Sequence, residues 1–177
     1  MATPVLVGLG SNIGASVDVL DQALAGLEAL SGPGFRASSL WRTSPVDCPP
    51  GSRDFVNAVA LLVVDSTGPE GLLKDLKAME RHFGRDAAPV RNAPRELDLD
   101  LLLFGNEERR SEKLTLPHPR AHARRFVMVP AAEVAPDWVW PGVDRSISDI
   151  AGSLVTDERL HRLRRAAAFM GMKGSDR

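Results

Sequence analysis

Residues 97–104 read LDLDLLLF, and the first half of this stretch alternates strictly between leucine and aspartate. Successive side chains of a β-strand point to opposite faces of the sheet. The pattern therefore predicts a strand whose leucines face the core and whose carboxylates, Asp98 and Asp100, share the other face with Cβ atoms ~7 Å apart. Alternation of this kind is typical of an antiparallel sheet and argues against a parallel sheet, whose strands are apolar on both faces.

The two carboxylates would face one small volume, where like charges are unfavourable unless a cation lies between them. Two Asp oxygens completed by phosphate oxygens are a usual way for phosphoryl-transfer enzymes to hold Mg²⁺. Ten of the 22 lysines and arginines fall between residues 81 and 125, which suits a polyphosphate ligand. A solvated strand face with ordinary surface arginines would give the same pattern, so both interpretations stand on these residues alone.

The rest of the chain alternates between predicted strands and predicted helices. Strands are predicted at 5–9, 37–43 and 55–64, and helices at 16–30, 69–83 and 122–134, the last interrupted by Pro130. A tail at 144–177 holds one more helical pattern around Leu160, Leu163 and Ala167. Because no linker or repeat divides the chain, we predict a single domain over residues 1–177.

The composition excludes several function classes. The chain has 177 residues, a formal net charge of −1 and one cysteine, Cys48. The balanced charge argues against nucleic-acid binding, and the single cysteine excludes an internal disulfide framework. No run of ~18 apolar residues occurs, so we expect no membrane segment, no signal peptide and a cytoplasmic protein.

A glycine-rich stretch, GLGSNIG, spans residues 8–14. A P-loop is excluded, because the first lysine is Lys74. The dinucleotide-binding fingerprint is closer, but its third glycine would come one position late, at Gly14 instead of Ile13. We interpret the glycines as a tight turn from strand to helix, and a dinucleotide-binding oxidoreductase stays open as a distant alternative.

Three further residues are candidates for ligand binding. His118 lies between two prolines, in a rigid extended loop that suits a donor to phosphate. Phe55 and Asn57 are two apart on a predicted strand and share a face, as an aromatic plate and an amide for a flat heterocycle would. A core phenylalanine beside a hydrogen-bonded asparagine fits this pair equally well.

Six segments resemble, in order and spacing, the 6-hydroxymethyl-7,8-dihydropterin pyrophosphokinase family of folate biosynthesis. They are GLGSNIG (8–14), WRTSP (41–45), DFVNA (54–58), PRELDLD (94–100), FGN (104–106) and LTLPHP (114–119). The resemblance covers about residues 5 to 141 and fades in the tail. It implies an α+β fold, a ferredoxin-like antiparallel sheet with helices on both faces in three αβα layers.

The resemblance also implies a reaction and a site. Pyrophosphate would pass from ATP, the co-substrate, to the hydroxymethyl oxygen of a reduced pterin, with attack on the β phosphorus and release of AMP. Asp98 and Asp100 would bind two Mg²⁺ ions and act in catalysis with Arg85 and Arg95. The implied pterin residues are Thr43, Ser44, Pro45, Val46, Phe55, Asn57 and Phe126. The implied ATP residues are Glu80, Arg85, Arg91, Arg95, Leu101, Lys113, Thr115, His118 and Arg124.

The chain departs from the family pattern at three positions. Asn92 replaces a frequent tryptophan, Ala87 a frequent arginine and Asp47 a common glycine. Two of these lie in the segment 85–95, which has no hydrophobic period and is expected to order over the phosphates late in closure. A catalytically weakened member that only binds pterin or nucleotide is therefore a second alternative.

Overall fold

The protein is described by a computed structural model, in which residues 1–65, 67–83 and 96–166 are placed. The predicted first strand and helix are confirmed. A β-branched and aliphatic run forms the strand β1, Thr3–Ser11, and the helix α1, Ser16–Leu30, follows it. The apolar stripe of α1 at steps of three and four, including Leu20 and Leu24, is buried as its spacing predicts.

The remaining elements alternate along the chain. The strands are β2 (Arg36–Ala37), β3 (Ser39–Thr43), β4 (Phe55–Val64), β5 (Asp98–Phe104), β6 (Arg109–Arg110), β7 (Thr115–Leu116), β8 (Val139–Trp140), β9 (Arg145–Ser146) and β10 (Leu160–Arg165). The helices are α2 (Pro69–His82), α3 (Arg125–Val134) and α4 (Ile147–Ser153), with a 3₁₀ turn at Ala121–Ala123 before α3. Pro130 lies inside α3, as predicted, without ending it.

Six of the strands form one sheet in the order β10-β3-β4-β1-β5, with β2 also paired to β4. Every pairing among the described strands is antiparallel. This confirms the antiparallel sheet, and it disfavours the oxidoreductase alternative, which needs parallel strands. β1 lies between β4 and β5, so the glycine-rich end of β1 is flanked by Phe55 and Asn57 on one side and by the two aspartates on the other.

Helices cover both faces of the sheet, which confirms the three-layer α+β architecture. On one face α1 and α2 pack on a core that includes Val5 and Val7 of β1. On the other face α3 and α4 pack on a second core around Leu6. Among the described residues no helix is long and apolar enough to cross a membrane.

The strand of the LDLDLLLF stretch has the predicted orientation. Leu99 and Leu101 are buried in the first core, and Asp98 and Asp100 lie on the opposite face. That opposite face is not open to water along its whole length, because Leu102 is buried in the second core. Both carboxylates are consequently half-buried at the edge of a covered surface.

The predicted helix around Leu160, Leu163 and Ala167 is wrong: residues 160–165 form the strand β10, antiparallel to β3. The pairing register shifts at Leu163, which packs against the first core. A β-bulge breaks the period-two alternation that marks a strand, so the spacing of the two leucines resembles a helix. Ala167 lies outside the described residues, and the tail has its helix earlier, at α4.

The strand predicted over 37–43 is interrupted at Ser38, whose side chain is buried in the sheet. The Ser38 hydroxyl accepts from the backbone N–H of Val59 at 2.9 Å and donates to the carbonyl of Ser39 at 2.8 Å. The Ser38 side chain thus gives the Val59 N–H of β4 an acceptor at the break between β2 and β3.

Replacing Ser38 by alanine should therefore destabilise the protein by about 1–3 kcal/mol, since it leaves the buried N–H of Val59 without an acceptor. Ser52→Ala is the matched control, because Ser52 is only part of an exposed loop contact to Pro49 and its loss should stay within about 0.5 kcal/mol. Urea unfolding of the three proteins measures both values. Equal stability of Ser38→Ala and wild type would contradict the role given to Ser38.

Candidate active site

Two glycines of β1 open a gap in the face of the sheet that α3 covers. Gly10 pairs with Asn57 of β4 on one side and with Asp98 of β5 on the other. Gly8 pairs with Asp100 in the same way. Because directly paired residues point to the same face of a sheet, Asn57 and Asp98 flank a position that carries no side chain.

The absence of a side chain at Gly10 is a steric requirement. A Cβ built there would lie 2.8 Å from Oδ1 of Asn57, closer than carbon atoms approach that oxygen. The prediction that Gly8 and Gly10 form a turn is wrong, because both lie inside β1. Only Gly14, with a φ of +66°, serves the turn into α1.

A cavity of about 100 Å³ lies above this gap. The start of α3 and the loop after β3 form its other walls. Its lining comprises Gly8, Leu9, Gly10, Thr43, Ser44, Val46, Cys48, Phe55, Asn57, Ala58, Val59, Asp98, Asp100, Leu102, Arg124, Phe126 and Val127. Segments that are far apart in sequence thus meet around one small volume.

The side of the cavity near β4 carries the aromatic and amide groups. Phe55 and Phe126 both line it and are half-buried, so each keeps part of its ring accessible. Asn57 is buried and donates from Nδ2 to Oγ1 of Thr43 at 2.6 Å. This hydrogen bond fixes the amide plane and leaves Oδ1 as an acceptor, an arrangement that can read the edge of a flat polar ring.

The side near β5 carries the carboxylates. Burial, followed by the charge of Asp98, raises the pKa of Asp100 to about 7. Lys77 and Arg124 act in the opposite direction but do not cancel these effects. The pair therefore favours an added positive charge, and hard carboxylate oxygens are the ligands that Mg²⁺ prefers.

No group of three or more His, Cys, Asp or Glu side chains arranged for a metal occurs within 1–65, 67–83 and 96–166. The described part of the protein thus offers Mg²⁺ two carboxylates, with room for ligands from a substrate. This donor set fits an ion that is commonly held by one or two carboxylates together with substrate phosphates.

Glu80 lies behind the carboxylate strand instead of in the cavity. It is fully buried, accepts from the backbone N–H of Leu99 at 2.8 Å and pairs with Lys77 at 3.2 Å. Leu99 separates the two aspartates in sequence, so Glu80 anchors the strand segment that presents them. Leu101 is also buried in the first core, which leaves only its backbone near the site.

Arg124 and His118 lie near enough to the carboxylates to interact with them electrostatically, although His118 lines neither this cavity nor the more open one that adjoins it. The guanidinium of Arg124 stacks over the ring of Phe126, 5.4 Å from its centroid. Burial, followed by the charges of Arg124 and Arg120, lowers the pKa of His118 to about 4. Nδ1 of His118 accepts from the backbone N–H of Arg120 at 3.2 Å, so the neutral ring carries its proton on Nε2.

A second, more open cavity of about 530 Å³ adjoins the first and shares Ser44, Val46 and Arg124 with it. Pro45 lines this second cavity. Lys113 and Thr115 line neither cavity; Lys113 is exposed and Thr115 half-buried. The predicted residues Arg85, Arg91 and Arg95 lie outside the described residues, as do Ala87 and Asn92.

Sequence reasoning missed several parts of this site. Cys48 and Val127 line the first cavity, and Glu158 lines the second. The hydrogen bond between Asn57 and Thr43 depends on the pairing of β3 with β4, and no local sequence pattern reveals that pairing. Only the steric role of Gly10 had a signal, because two glycines at a spacing of two fit one face of a strand.

Comparisons with known proteins agree with this geometry. The sequence model of the family described as 7,8-dihydro-6-hydroxymethylpterin-pyrophosphokinase (HPPK) matches residues 6–136. A protein of Synechocystis named 2-amino-4-hydroxy-6-hydroxymethyldihydropteridine pyrophosphokinase is 42% identical over 142 residues, 80% of this chain and 71% of that protein. A protein of the same name from Haemophilus influenzae is 40% identical over 136 residues, 76% of this chain and 83% of that protein.

Among solved structures, the wild-type HPPK-DHPS of Plasmodium falciparum aligns with a TM-score of 0.67 over 86% of this chain and 44% of that chain. At 13% identity this likeness shows the shared fold alone. The family match spans most of the chain and agrees with both relatives, and the chain therefore belongs to the 7,8-dihydro-6-hydroxymethylpterin-pyrophosphokinase family.

Proposed function

We propose that the protein transfers pyrophosphate from ATP to the hydroxymethyl group of 6-hydroxymethyl-7,8-dihydropterin and releases AMP, a step of folate biosynthesis. One observation carries the proposal: the row Asn57, Gly10, Asp98 across three adjacent strands. An amide that can read a heterocycle and a carboxylate pair that suits a metal-bound polyphosphate flank a position without a side chain. The names of the curated relatives support the same activity.

The pterin would bind on the β4 side of the cavity. Phe55 and Phe126 would hold its ring between them, and Asn57 would pair with its amide and amine edge. Thr43, Ser44, Pro45 and Val46 would complete this subsite. The aromatic rings supply stacking energy, and the Asn57 amide, fixed by Thr43, supplies orientation.

The nucleotide would bind on the β5 side. Asp98 and Asp100 would hold Mg²⁺, which when bound offsets the charge of the polyphosphate and of the transition state. The residues around ATP would be Arg85, Arg91, Arg95, Lys113, Thr115, His118 and Arg124. Glu80 would support β5 from behind, and Leu101 would contribute its backbone from β5 itself.

The reaction forms one bond and breaks another. The hydroxymethyl oxygen bonds to the β phosphorus, the bond from that phosphorus to the bridging oxygen of the α phosphate breaks, and AMP leaves with the electron pair. The hydroxyl proton passes to solvent, since Asp98 and Asp100, the carboxylates among the described lining residues, would be occupied as ligands of Mg²⁺. Positioning of the two substrates then carries most of the acceleration, as in phosphoryl transfer generally.

Incubation of the protein with ATP, Mg²⁺ and the reduced hydroxymethylpterin tests the proposal. The expected products are AMP and the pterin pyrophosphate. ADP as the product would indicate a different transfer. Binding of both substrates without AMP release would favour the weakened family member.

Removal of either carboxylate should lower turnover by at least ~10²-fold, because a ligand of the charge-offsetting ion is lost. Asp98→Ala and Asp100→Ala are to be compared with Asp75→Ala, an exposed position on α2. Since burial and the charge of Asp98 oppose the ionisation of Asp100, the Asp100→Ala variant should not melt below the wild type without Mg²⁺. Near-full activity of either variant at saturating Mg²⁺ would refute the metal assignment.

Loss of one aromatic face should affect only the pterin. Phe55→Ala is expected to weaken pterin binding by ~1–3 kcal/mol and to leave binding of a non-hydrolysable ATP analogue nearly unchanged. Phe35→Ala is the control, because Phe35 packs on the first core, on the far side of the sheet. Calorimetric titration measures both affinities, and equal losses for the two ligands would show that Phe55 is a core residue.

His118 should titrate near pH 4 in the free protein and at a higher pH with the ATP analogue, because nearby phosphates favour the charged ring. The lowered pKa of His118 also makes the free energy of unfolding depend on pH. Between about pH 6.5 and pH 4 the unfolded chain binds a proton that the folded protein does not bind. The free energy of unfolding therefore falls as the pH falls through this window. NMR of the ring C–H follows the titration. Pterin alone serves as the control ligand. If the ATP analogue leaves the titration midpoint of His118 unchanged, His118 does not belong to the phosphate site.

A further inference from the structure

Two walls of the pterin side come from segments about 80 residues apart in sequence. One wall is the end of β3 with Thr43 and Ser44, and the other is the start of α3 with Phe126. The start of α3 is not capped by its own side chains. Arg124, the residue before α3, makes no side-chain capping hydrogen bond, and the first turn of α3 contains no acidic residue.

The segment 158–160 holds the α3 wall. Both carboxylate oxygens of Glu158 accept backbone hydrogen bonds from α3, one from Arg125 at 3.1 Å and one from Phe126 at 3.0 Å. A carboxylate at this end of a helix satisfies N–H groups that otherwise lack partners and meets the positive end of the helix dipole.

The same segment holds the β3 wall. The backbone N–H of Arg159 donates to Oγ of Ser44 at 3.0 Å, and the backbone N–H of Ser44 donates to the carbonyl of Arg159 at 3.0 Å. Leu160 begins β10 directly opposite Thr43, the hydrogen-bond partner of Asn57. Three consecutive residues therefore connect the ring of Phe126 to the amide of Asn57 through short, defined contacts.

From these contacts we propose that Glu158 is a positioning residue of the pterin site: it sets the place of Phe126 relative to Ser44 and Thr43. The inference rests on the proposed function. Residues 158–160 lie beyond the part of the chain, residues 6–136, that the family's sequence model matches. Glu158 itself lies in the second cavity and not in the first, so it acts through the two walls and not by contact with the ring.

Two Glu158 variants in the full chain test the proposal, with a neighbour as control. Glu158→Ala removes both acceptors, and Glu158→Gln keeps one carbonyl acceptor and the size of the side chain. Asp157→Asn removes the same charge at the adjacent exposed residue. The affinities for hydroxymethylpterin and for the non-hydrolysable ATP analogue are measured by calorimetry, and the melting temperature by circular dichroism.

We expect Glu158→Ala to weaken pterin binding about tenfold, Glu158→Gln by less, and Asp157→Asn not at all. Binding of the ATP analogue should change less than about threefold in all three variants. This selectivity separates positioning from a merely structural role, which would weaken both ligands together.

Unchanged pterin affinity in Glu158→Ala, or equal weakening of the two ligands, would overturn the proposal. If Glu158→Ala does not fold, Glu158→Gln decides by the same two affinities, provided that it melts near the wild-type temperature. A different result would reject the proposed function itself: a wild-type protein that releases no AMP. An active wild type with an unaffected Glu158→Ala rejects the positioning role alone.

Discussion

The gap at Gly10 is the constraint on which the site depends. Neighbouring strands lie about 4.8 Å apart, so Asn57 and Asp98 are two strand spacings from each other with no side chain between them. A larger residue in the middle strand would displace Asn57 and fill the space between amide and carboxylate. In the proposed reaction the pterin hydroxyl and the β phosphorus must approach to about 3–3.5 Å, and this gap is where they can meet.

The two cores make that geometry rigid. The residues that flank the gap lie on β1, β4 and β5, whose buried side chains pack against helices on both faces of the sheet. Sites on packed strands hold their groups more accurately than sites on loops. Two hydrogen bonds add to this support: Glu80 accepts from the backbone N–H of Leu99, and Thr43 accepts from the side-chain amide of Asn57.

Much of the fold and the strand β5 that carries the carboxylates could be predicted from local patterns. The alternation of leucine and aspartate predicts the two faces of β5, and the stripe at Leu20 and Leu24 predicts α1. Each of these elements follows a single regular hydrophobic period along its length. β10 could not be predicted, because a bulge at Leu163 interrupts its period. Glu158 gave no signal either, since its importance lies in contacts with residues more than 30 positions away.

The shifted pKa values of Asp100 and His118 both reduce the charge that these side chains carry while no ligand is bound. Burial raises the pKa of Asp100 to about 7 and lowers that of His118 to about 4, so both groups move toward their neutral forms. A carboxyl group near neutrality releases its proton when a cation arrives, and a neutral imidazole can donate a hydrogen bond without adding charge. In the proposed function the metal and the polyphosphate bring opposite charges together. In that function Asp100 would lose its proton as the metal binds, so its negative charge would appear together with the positive charge that balances it.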